Sequence, residues 1–386
     1  MSSANSSPLT LQPLSAAEET LLCGREAEVR AILENCEAGR LTVVLSRPGF
    51  GASSLLRAGV QPVLLRAGTI VAICSDWDGR TFAEGLRETV AAAVHGQTGI
   101  PFATKEREQL IELLDRARAK TGKPIAVFLD QFEEYLRCHA GTAIADDFDA
   151  ELSHAVSSRA AQFVIAMHPS AVGEFGRFSQ FIPNLLGYTV NLAPIGQEAA
   201  AELVRRRGVD PAVVNEIVSA RMAAVEGGVN PSFITIAAQG RLDAGHRGAT
   251  ESPDRVILTS LDPILSGLRA SERGLLLQWL PVLVTEDGHR IAVSLKVLTE
   301  RASARGGAAE SALASLIRAG LLRHVTTRFG VRYLLTRDFA APILQDWGAR
   351  MQRIRAARRQ TFLRAVSVLV GVIALLAAYL VYYGGK

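Results

Sequence analysis

The chain has 386 residues, and its hydrophobic content of 48% is sufficient for two or three domains with buried cores. Its four cysteines are widely spaced and include no Cys-x-x-Cys pair, which argues against a disulfide framework and against a zinc site. The net charge of +4 is local, since residues 350–386 hold seven basic and no acidic residues whereas residues 1–349 hold 35 basic and 38 acidic residues, so the body of the protein gives no support for nucleic-acid binding.

The N-terminal stretch predicts a disordered lead-in followed by a helix. Residues 1–14 begin with a run of small polar residues and are expected to be disordered. A capping box, Ser15 to Glu18, then opens a segment whose apolar residues have helical spacing through Ile32 and Leu33.

The next stretch predicts a phosphate-binding loop. An apolar run over residues 41–45 leads into a glycine-containing turn and a helix over about residues 53–65. Backbone N–H groups and the helix dipole point at an anion in such a layout. The P-loop pattern G-x-x-x-x-G-K-[ST] is matched at Gly51 and Ser53, but Ser46 stands for its first glycine and Ala52 for its lysine. The candidate nucleotide contacts of the loop are Arg47, Gly49, Gly51, Ala52, Ser53 and Ser54.

A second acidic site is predicted downstream. A strand over residues 69–74 and helices over residues 81–95 and 104–119 precede an apolar strand, residues 124–129, which ends at Asp130. A carboxylate at the carboxyl end of a parallel strand can hold Mg²⁺ beside the Ser53 hydroxyl. Glu133 or Glu134 would then orient or deprotonate an attacking water. The alternative is a helix N-cap Asp followed by acidic first-turn residues, and the upstream loop favours the Mg²⁺ site.

Another strand, residues 162–167, ends at His168, which either senses a γ-phosphate or is structural. A short strand follows at residues 188–192. Residues 196–240 are predicted to be helical, with a turn before Pro231 that resembles a helix entry, and the polar, Gly-rich residues 241–257 resemble a linker.

Three helices and a hairpin are predicted in residues 258–349, which indicates a winged-helix domain. The helices cover residues 271–284, 294–304 and 310–320, with Gly320 as the left-handed stop of the third, and the hairpin strands cover residues 321–325 and 331–335. The third helix has one Glu and one Arg, and a helix with so few basic side chains is poorly suited to bind in a DNA groove. DNA binding is therefore not expected, although a membrane-bound winged-helix regulator remains an alternative.

The C-terminal residues predict a membrane anchor. Residues 365–383 are 19 residues without a charge, about enough to cross a hydrocarbon core of roughly 30 Å, and six arginines lie in residues 350–364. The positive-inside rule then places the N-terminal domains in the cytoplasm, as a single-pass, tail-anchored protein of the cytoplasmic membrane, with the basic segment against anionic lipids. A buried core helix is the alternative.

Five stretches of this sequence resemble the novel STAND NTPases, signal-transducing relatives of the AAA+ ATPases. They are residues 23–28, 53–62, 130–136, 164–168 and 230–232. The resemblance implies a P-loop NTPase domain with a parallel sheet and flanking helices over residues 15–195, a helical lid and linker over residues 196–257, and a winged helix. It also implies a switch, gated by ATP or ADP with Mg²⁺, that acts through self-association or a protein partner.

The resemblance also assigns roles to residues of this chain. Ser53 and Asp130 would handle Mg²⁺, Glu133 or Glu134 would handle the water, and Pro231 would touch the adenine. Gly24 and Arg25 lie where such ATPases start the helix that backs onto adenine, although an ordinary helix start has a similar sequence.

Three positions depart from the family pattern: Ser46, Ala52 and His168, the last standing for the usual sensor arginine. A lysine near the β- and γ-phosphates stabilises transition-state charge by several kcal/mol, and its loss costs orders of magnitude in rate. Arg47 would have to reach over the phosphates to replace it. The sequence therefore predicts weak nucleotide binding with slow or absent hydrolysis, and a working STAND ATPase that drives oligomerisation at the membrane is the alternative.

Overall fold

The structure is a computed structural model of the chain. It describes the backbone of residues 11–77, 81–139, 143–244, 251–285, 290–302, 306–327, 330–337 and 340–384. Within these ranges it does not describe the side chains of residues 143, 144, 244, 306, 326, 327, 364, 365, 368, 369 and 375–384.

The N-terminal half is a parallel five-stranded sheet flanked by helices. A 3₁₀ helix, Ala16–Leu21, starts at the predicted capping box. The strands are β1 (Leu41–Ser46), β2 (Ile70–Cys74), β3 (Ile125–Leu129), β4 (Gln162–Met167) and β5 (Thr189–Leu192). The helices are α1 (Glu26–Ala38), α2 (residues 52–66), α3 (Phe82–Thr98), α4 (Leu110–Thr121), α5 (Phe132–His139) and α6 (Ala143–Ser157).

The strand order is β2-β3-β4-β1-β5, and all pairings in this sheet are parallel. Successive residues of a strand point to opposite faces, and Val43 and Val44 accordingly belong to different hydrophobic clusters. Each face of the sheet thus has its own helix-covered core, which explains why the strands are nearly continuous apolar runs. The carboxyl ends of β1, β3 and β4 meet at one edge, where ligands bind in open α/β sheets.

Helix α2 contains a π-helical stretch. It consists of an α-helical turn (Ala52–Ser54), the π-helical Leu55–Val60 and the α-helix Gln61–Arg66. The Gln61 N–H donates to Leu56 O, five residues back. Pro62 has no N–H and disfavours the regular α-helical hydrogen bonds between residues four apart. This accounts for the wider π-helical turn at this point.

Residues 196–240 are not one helical run, so this prediction is wrong in part. The chain forms α7 (Gln197–Arg206), α8 (Val214–Val218), a hairpin of β6 (Ala224–Val225) and β7 (Gly228–Val229), and α9 (Pro231–Ala244). Gly227 and Gly228 have positive φ values of +85° and +157°, which suit a turn and not a helix. The predicted linker also contains structure, because α9 ends at Ala244 and α10 (Pro253–Thr259) follows; residues 245–250 lie outside the described part.

The C-terminal region contains the predicted helices and hairpin. After α11 (Asp262–Gly267) come α12 (Ala270–Leu283), α13 (Leu295–Ala302) and α14 (Gly306–Arg318), and strands β8 (Val293–Ser294), β9 (Leu322–Thr327) and β10 (Gly330–Leu335) form an antiparallel sheet in the order β8-β10-β9. Gly320 has a φ of +74°, as a left-handed helix stop requires. Whether this arrangement is a winged helix stays a prediction.

The last helix, α15, extends over Ala340–Gly384 and includes the predicted membrane segment. Within the described part of the chain, no helix has the length and apolar character that crossing a membrane requires. The side chains of residues 365, 368, 369 and 375–383 of that segment lie outside the described residues. The described side chains between residues 366 and 374 are exposed, so this stretch is not a buried core helix of the chain.

Candidate functional site

A polar cavity, here called the P-loop cleft, lies at the carboxyl edge of the sheet. It is lined by the loop between β1 and α2, by the ends of β3 and β4 and by residues 11–13. The C-terminal region contributes Arg290, Thr336 and Arg337 to the same cavity. Every predicted loop contact lies in this lining: Arg47, Gly49, Gly51, Ala52, Ser53 and Ser54.

Two glycines give the loop its shape. Gly49 and Gly51 have φ values of +81° and +91°, in the left-handed region that side-chain-bearing residues rarely adopt. Helix α2 starts directly after them, with Leu55 N–H donating to Gly51 O at 2.8 Å. The first N–H groups of a helix have no acceptor within it, so this end of α2 favours an anion.

The Asn-Pro-Ser turn at the start of α9 holds the loop from the opposite side. Asn230 Nδ2 donates to Pro48 O at 3.3 Å, and Ser232 Oγ donates to Gly49 O at 3.0 Å. A Cβ at position 49 would lie only 2.7 Å from Asn230 Oδ1, which is a second reason for a glycine there. The sequence analysis assigned a role only to Pro231 and missed its two polar neighbours, although the motif that contains them was the available signal.

Arg25 holds the loop through a hydrogen bond to its backbone. It is buried, and it pairs with Glu28 at 2.7 Å and donates from Nη2 to Phe50 O at 2.8 Å. Gly24 does not line the cleft; its φ is +67°, and a Cβ there would lie 2.4 Å from Ala199 Cβ. Gly24 thus packs against α7, and its nucleotide contact stays a prediction.

Asp130 presents to the cleft a buried carboxyl group with one unpartnered oxygen. It directly follows β3, is 2% exposed, and its Oδ2 has no hydrogen-bond partner among the described residues. Burial raises the pKa of this carboxyl, while a hydrogen bond from Ser53 and the charge of Arg57 oppose the rise. A buried oxygen without a partner is costly, so Oδ2 is an oxygen that a cation would satisfy.

Gln131, which follows Asp130, has a φ of +56°. A residue with a side chain is strained in this region, and such strain concentrates at functional sites. The turn directs the chain from β3 into α5, and Gln131 itself lines the cleft.

Glu133 lies in the cleft wall beside His168. Its Oε2 accepts the His168 N–H at 3.3 Å. Burial, assisted by the neighbouring charge of Glu134, raises the pKa of Glu133 to about 7. His168 Nδ1 accepts the Ser170 N–H at 3.2 Å, so the proton of the neutral ring is on Nε2. The structure thus brings these two predicted residues together.

Glu134 occupies a different environment and does not line the cleft. Its Oε1 lies 2.5 Å from Arg290 Nη2 and 2.5 Å from Arg323 Nη2, and its side chain is 7% exposed. Burial alone would raise the pKa of Glu134, but the two guanidinium groups outweigh it and hold the pKa below the ordinary value. Of the two glutamates predicted to act on water, Glu133 lines the cleft and Glu134 does not.

Arg290, which pairs with Glu134, also forms hydrogen bonds with the end of β10. Its Nη1 donates to Leu335 O at 3.1 Å and to Thr336 O at 3.0 Å. The end of β10 is thereby fixed over the P-loop cleft. The sequence analysis missed Arg290 and Arg337, and nothing in the local pattern around them signals a role.

An apolar pocket adjoins the P-loop cleft and shares Gly49, Gly51, Ser54 and Ser232 with it. Its wall includes Pro231 and Arg25, two of the predicted contacts, and apolar side chains of which Leu14, Leu22, Phe50, Ile195 and Leu203 are examples. A flat apolar ring with a few polar edges suits such a pocket.

Leu11, Gln12 and Leu14, from the stretch predicted to be disordered, line this pocket; residues 1–10 lie outside the described part, and the disorder of residues 1–14 stays a prediction. Leu14 is 9% exposed, and its N–H donates to Ser54 Oγ at 3.1 Å. Leu11 is half-buried and Leu14 is buried, so both leucines favour packing of this segment against the pocket.

These residues fit a Mg²⁺ nucleotide. Mg²⁺ takes oxygen ligands and is usually held by one or two protein oxygens together with substrate phosphates, and the Ser53 hydroxyl and the orphaned Asp130 Oδ2 are such oxygens. Among the described residues, no group of three His, Cys, Asp or Glu side chains could hold a metal by itself. When bound, the cation would neutralise phosphate charge.

The fold and the cleft define an α/β P-loop NTPase-like protein. The model of the family described as Novel STAND NTPase 1 matches residues 9–224, more than half of the chain, and the chain belongs to this family. The resemblance stated from the five motif stretches is thereby confirmed.

Similar solved structures include three archaeal proteins. The Walker-type ATPase PABY2304 of Pyrococcus abyssi is 18% identical with a TM-score of 0.48, over 88% of this chain and 99% of that chain. The Aeropyrum pernix ORC2 protein in its ADPNP–ADP complexes is 16% identical with a TM-score of 0.49, over 85% and 95%. The A. pernix ORC1 protein in complex with DNA is 16% identical with a TM-score of 0.47, over 88% and 95%. No curated protein matches the chain.

Proposed function

We propose that the protein is a membrane-anchored nucleotide switch that binds ATP or ADP with Mg²⁺ and hydrolyses it slowly or not at all. The observation that carries the binding proposal is the buried, unpartnered Oδ2 of Asp130 beside Ser53 and the glycine loop. Membership of the STAND NTPase family supports it. The phosphates would lie against the loop and the base in the apolar pocket.

The slow-hydrolysis proposal rests on the loop itself. Ala52 lines the cleft at the position of the P-loop lysine and has no charge to offer. Stabilisation of the transition state by preorganised charge is usually the largest single contribution to catalysis. Because Ala52 supplies none, turnover would be slow even with nucleotide bound. The switch would then depend on which nucleotide is bound, and its output would pass through self-association or a protein partner.

A working ATPase is the second candidate, and one observation favours it. Glu133 lines the cleft with a pKa raised to about 7, and a general base is most effective when its pKa is near the working pH. Measured turnover that Glu133→Gln abolishes would select this candidate over the switch.

Substitution of Asp130 tests the binding proposal. Asp130→Asn keeps the size of the side chain but removes its charge, so ATP should bind with little dependence on Mg²⁺, whereas the wild-type chain should bind ATP at least about tenfold more tightly with Mg²⁺ than with EDTA. Calorimetric titration measures both. Asp146→Asn, an exposed aspartate on α6, is the matched control. Equal Mg²⁺ dependence in the wild type and in Asp130→Asn would contradict the assignment.

Membrane anchoring rests on the uncharged residues 365–383 and the six arginines before them. On the described part of α15, Val370, Val372 and Ile373 are 59%, 46% and 56% exposed. A row of exposed apolar side chains is more stable in an apolar environment than in water. The intact chain should float with lipid vesicles and resist alkaline extraction, while a chain ending at residue 349 should not float. Flotation of both would contradict the anchor.

A further inference from the structure

The loop has Ala52 at the position of the P-loop lysine, and an arginine from a distant part of the sequence reaches the same cavity. Arg337 follows β10 and lines the P-loop cleft together with Ala52, Ser53 and Asp130. Its Nε is buried and has no hydrogen-bond partner among the described residues. We propose that Arg337 binds the β- and γ-phosphates of the nucleotide and supplies, in the same chain, the positive charge that Ala52 lacks.

The surroundings of Arg337 favour a ligand over an internal partner. Burial is the first cause that lowers the pKa of its guanidinium. The nearby charges of Arg290 and Arg323 lower this pKa further, while those of Glu134 and Asp130 oppose the shift. Both neighbouring arginines are bound to Glu134. Among the described residues Arg337 therefore has no ion-pair partner, whereas the two neighbouring arginines have one. A polyanion in the cleft would supply that partner and offset the cost of burying the guanidinium charge.

The position of Arg337 is fixed by its neighbours. Arg290 donates to the carbonyls of Leu335 and Thr336, the two residues that precede Arg337, and is itself held by the buried Glu134 at the start of α5. Because α5 begins just after Asp130, one rigid connection links the Mg²⁺ carboxylate to the backbone that carries Arg337. A guanidinium carried by a backbone that is fixed next to the cleft is well placed for phosphate oxygens, which an arginine binds with two parallel N–H groups.

Other positive side chains fit this role less well. Arg47 lies in the loop but is exposed. Arg57, on α2, contributes its charge to Asp130 and is not in the lining of the cleft. Arg337 combines exposure to the cleft with a backbone fixed by hydrogen bonds, and this combination carries the proposal.

The proposal rests on nucleotide binding as proposed above, and its test separates the two. The intact chain is titrated calorimetrically with ATP, ADP and AMP in Mg²⁺, as wild type, as Arg337→Ala and as Arg318→Ala, an exposed arginine of the same region. Arg337→Ala should weaken ATP binding by about tenfold to a hundredfold and leave AMP binding nearly unchanged, since AMP lacks both phosphates. Arg318→Ala should match the wild type for all three.

A second variant keeps the test independent of effects on folding. In Arg337→Ala, the further substitution Ala52→Lys should recover most of the lost ATP affinity, because the lysine returns a charge to the same phosphates. Wild-type chain that binds neither ATP nor ADP would refute the proposed function itself. Binding by the wild type that Arg337→Ala leaves unchanged, or an equal loss for ATP and AMP without recovery by Ala52→Lys, would overturn the role of Arg337 alone.

Discussion

Glu133 and Glu134 are adjacent in sequence and chemically identical, yet they have opposite environments. Among the described residues Glu133 lines the P-loop cleft and forms no ion pair, whereas Glu134 points toward the C-terminal region and pairs with two arginines. A helix turns by about 100° per residue, so neighbours on α5 necessarily face different surroundings. The sequence predicts that one of them is placed beside the cleft, but it does not say which.

The raised pKa of Glu133 gives a stability prediction at the residue scale. Between its ordinary pKa of 4.5 and its folded pKa of about 7, the folded state keeps a proton that the unfolded state has lost, so stability falls as the pH rises through this range. Glu133→Gln removes the penalty and should stabilise the nucleotide-free protein by up to about 3 kcal/mol at pH 8. Little of this gain should remain at pH 5.

Denaturant unfolding at the two pH values measures this effect. A stabilisation by Glu133→Gln that is the same at pH 5 and pH 8 would show that the carboxyl does not titrate in this range. A loss of stability at pH 8 would show that the ionised form is stabilised by the fold.

At the element scale, the strands and most helices follow from sequence because their periodicity is local. Strand β4 has the predicted bounds, and the ends of the P-loop helix differ from prediction by one residue. The region 196–240 could not be divided correctly, because the hairpin at Gly227 and Gly228 depends on β7 returning to Ile195, a contact that adjacent residues do not encode. The site shows the same limit. The loop and Asp130 carry motifs, but Arg337 reaches the cleft only through tertiary packing.

The ion pair between α5 and the C-terminal region yields the second stability prediction. Glu134→Gln leaves two charged arginines without a carboxylate, and removal of one partner of a buried pair costs about 3–5 kcal/mol. The lowered pKa of Glu134 means that its contribution is present above about pH 4.5 and fades as the pH falls below that value. Glu134→Gln should therefore destabilise the protein at pH 8.

Glu133→Gln is the matched control, because the same substitution one residue earlier should have the opposite sign at pH 8. Unfolding by urea at pH 8 gives both values. Equal effects of the two substitutions would contradict the placement of Glu134 between Arg290 and Arg323.

On the scale of the whole molecule, the cleft is completed by parts that are far apart in sequence. Residues 11–13 close one side, the Asn230–Ser232 turn holds the loop, and the end of β10 supplies Arg337. The ion pair between Glu134 and Arg290 spans 156 positions. A ligand in the cleft would touch all of these regions at once, which is the arrangement that a switch between two packings requires.

The most direct test of this account is a calorimetric titration of the intact chain with ATP and with ADP in Mg²⁺, with phosphate release followed in the same samples. We expect binding tighter than millimolar for at least one of the two nucleotides, and turnover well below about 1 s⁻¹, the lower end for ordinary enzymes. Binding no tighter than millimolar for both nucleotides would contradict the switch and leave a scaffold, and turnover above that rate would show that the loop has not lost its catalytic function.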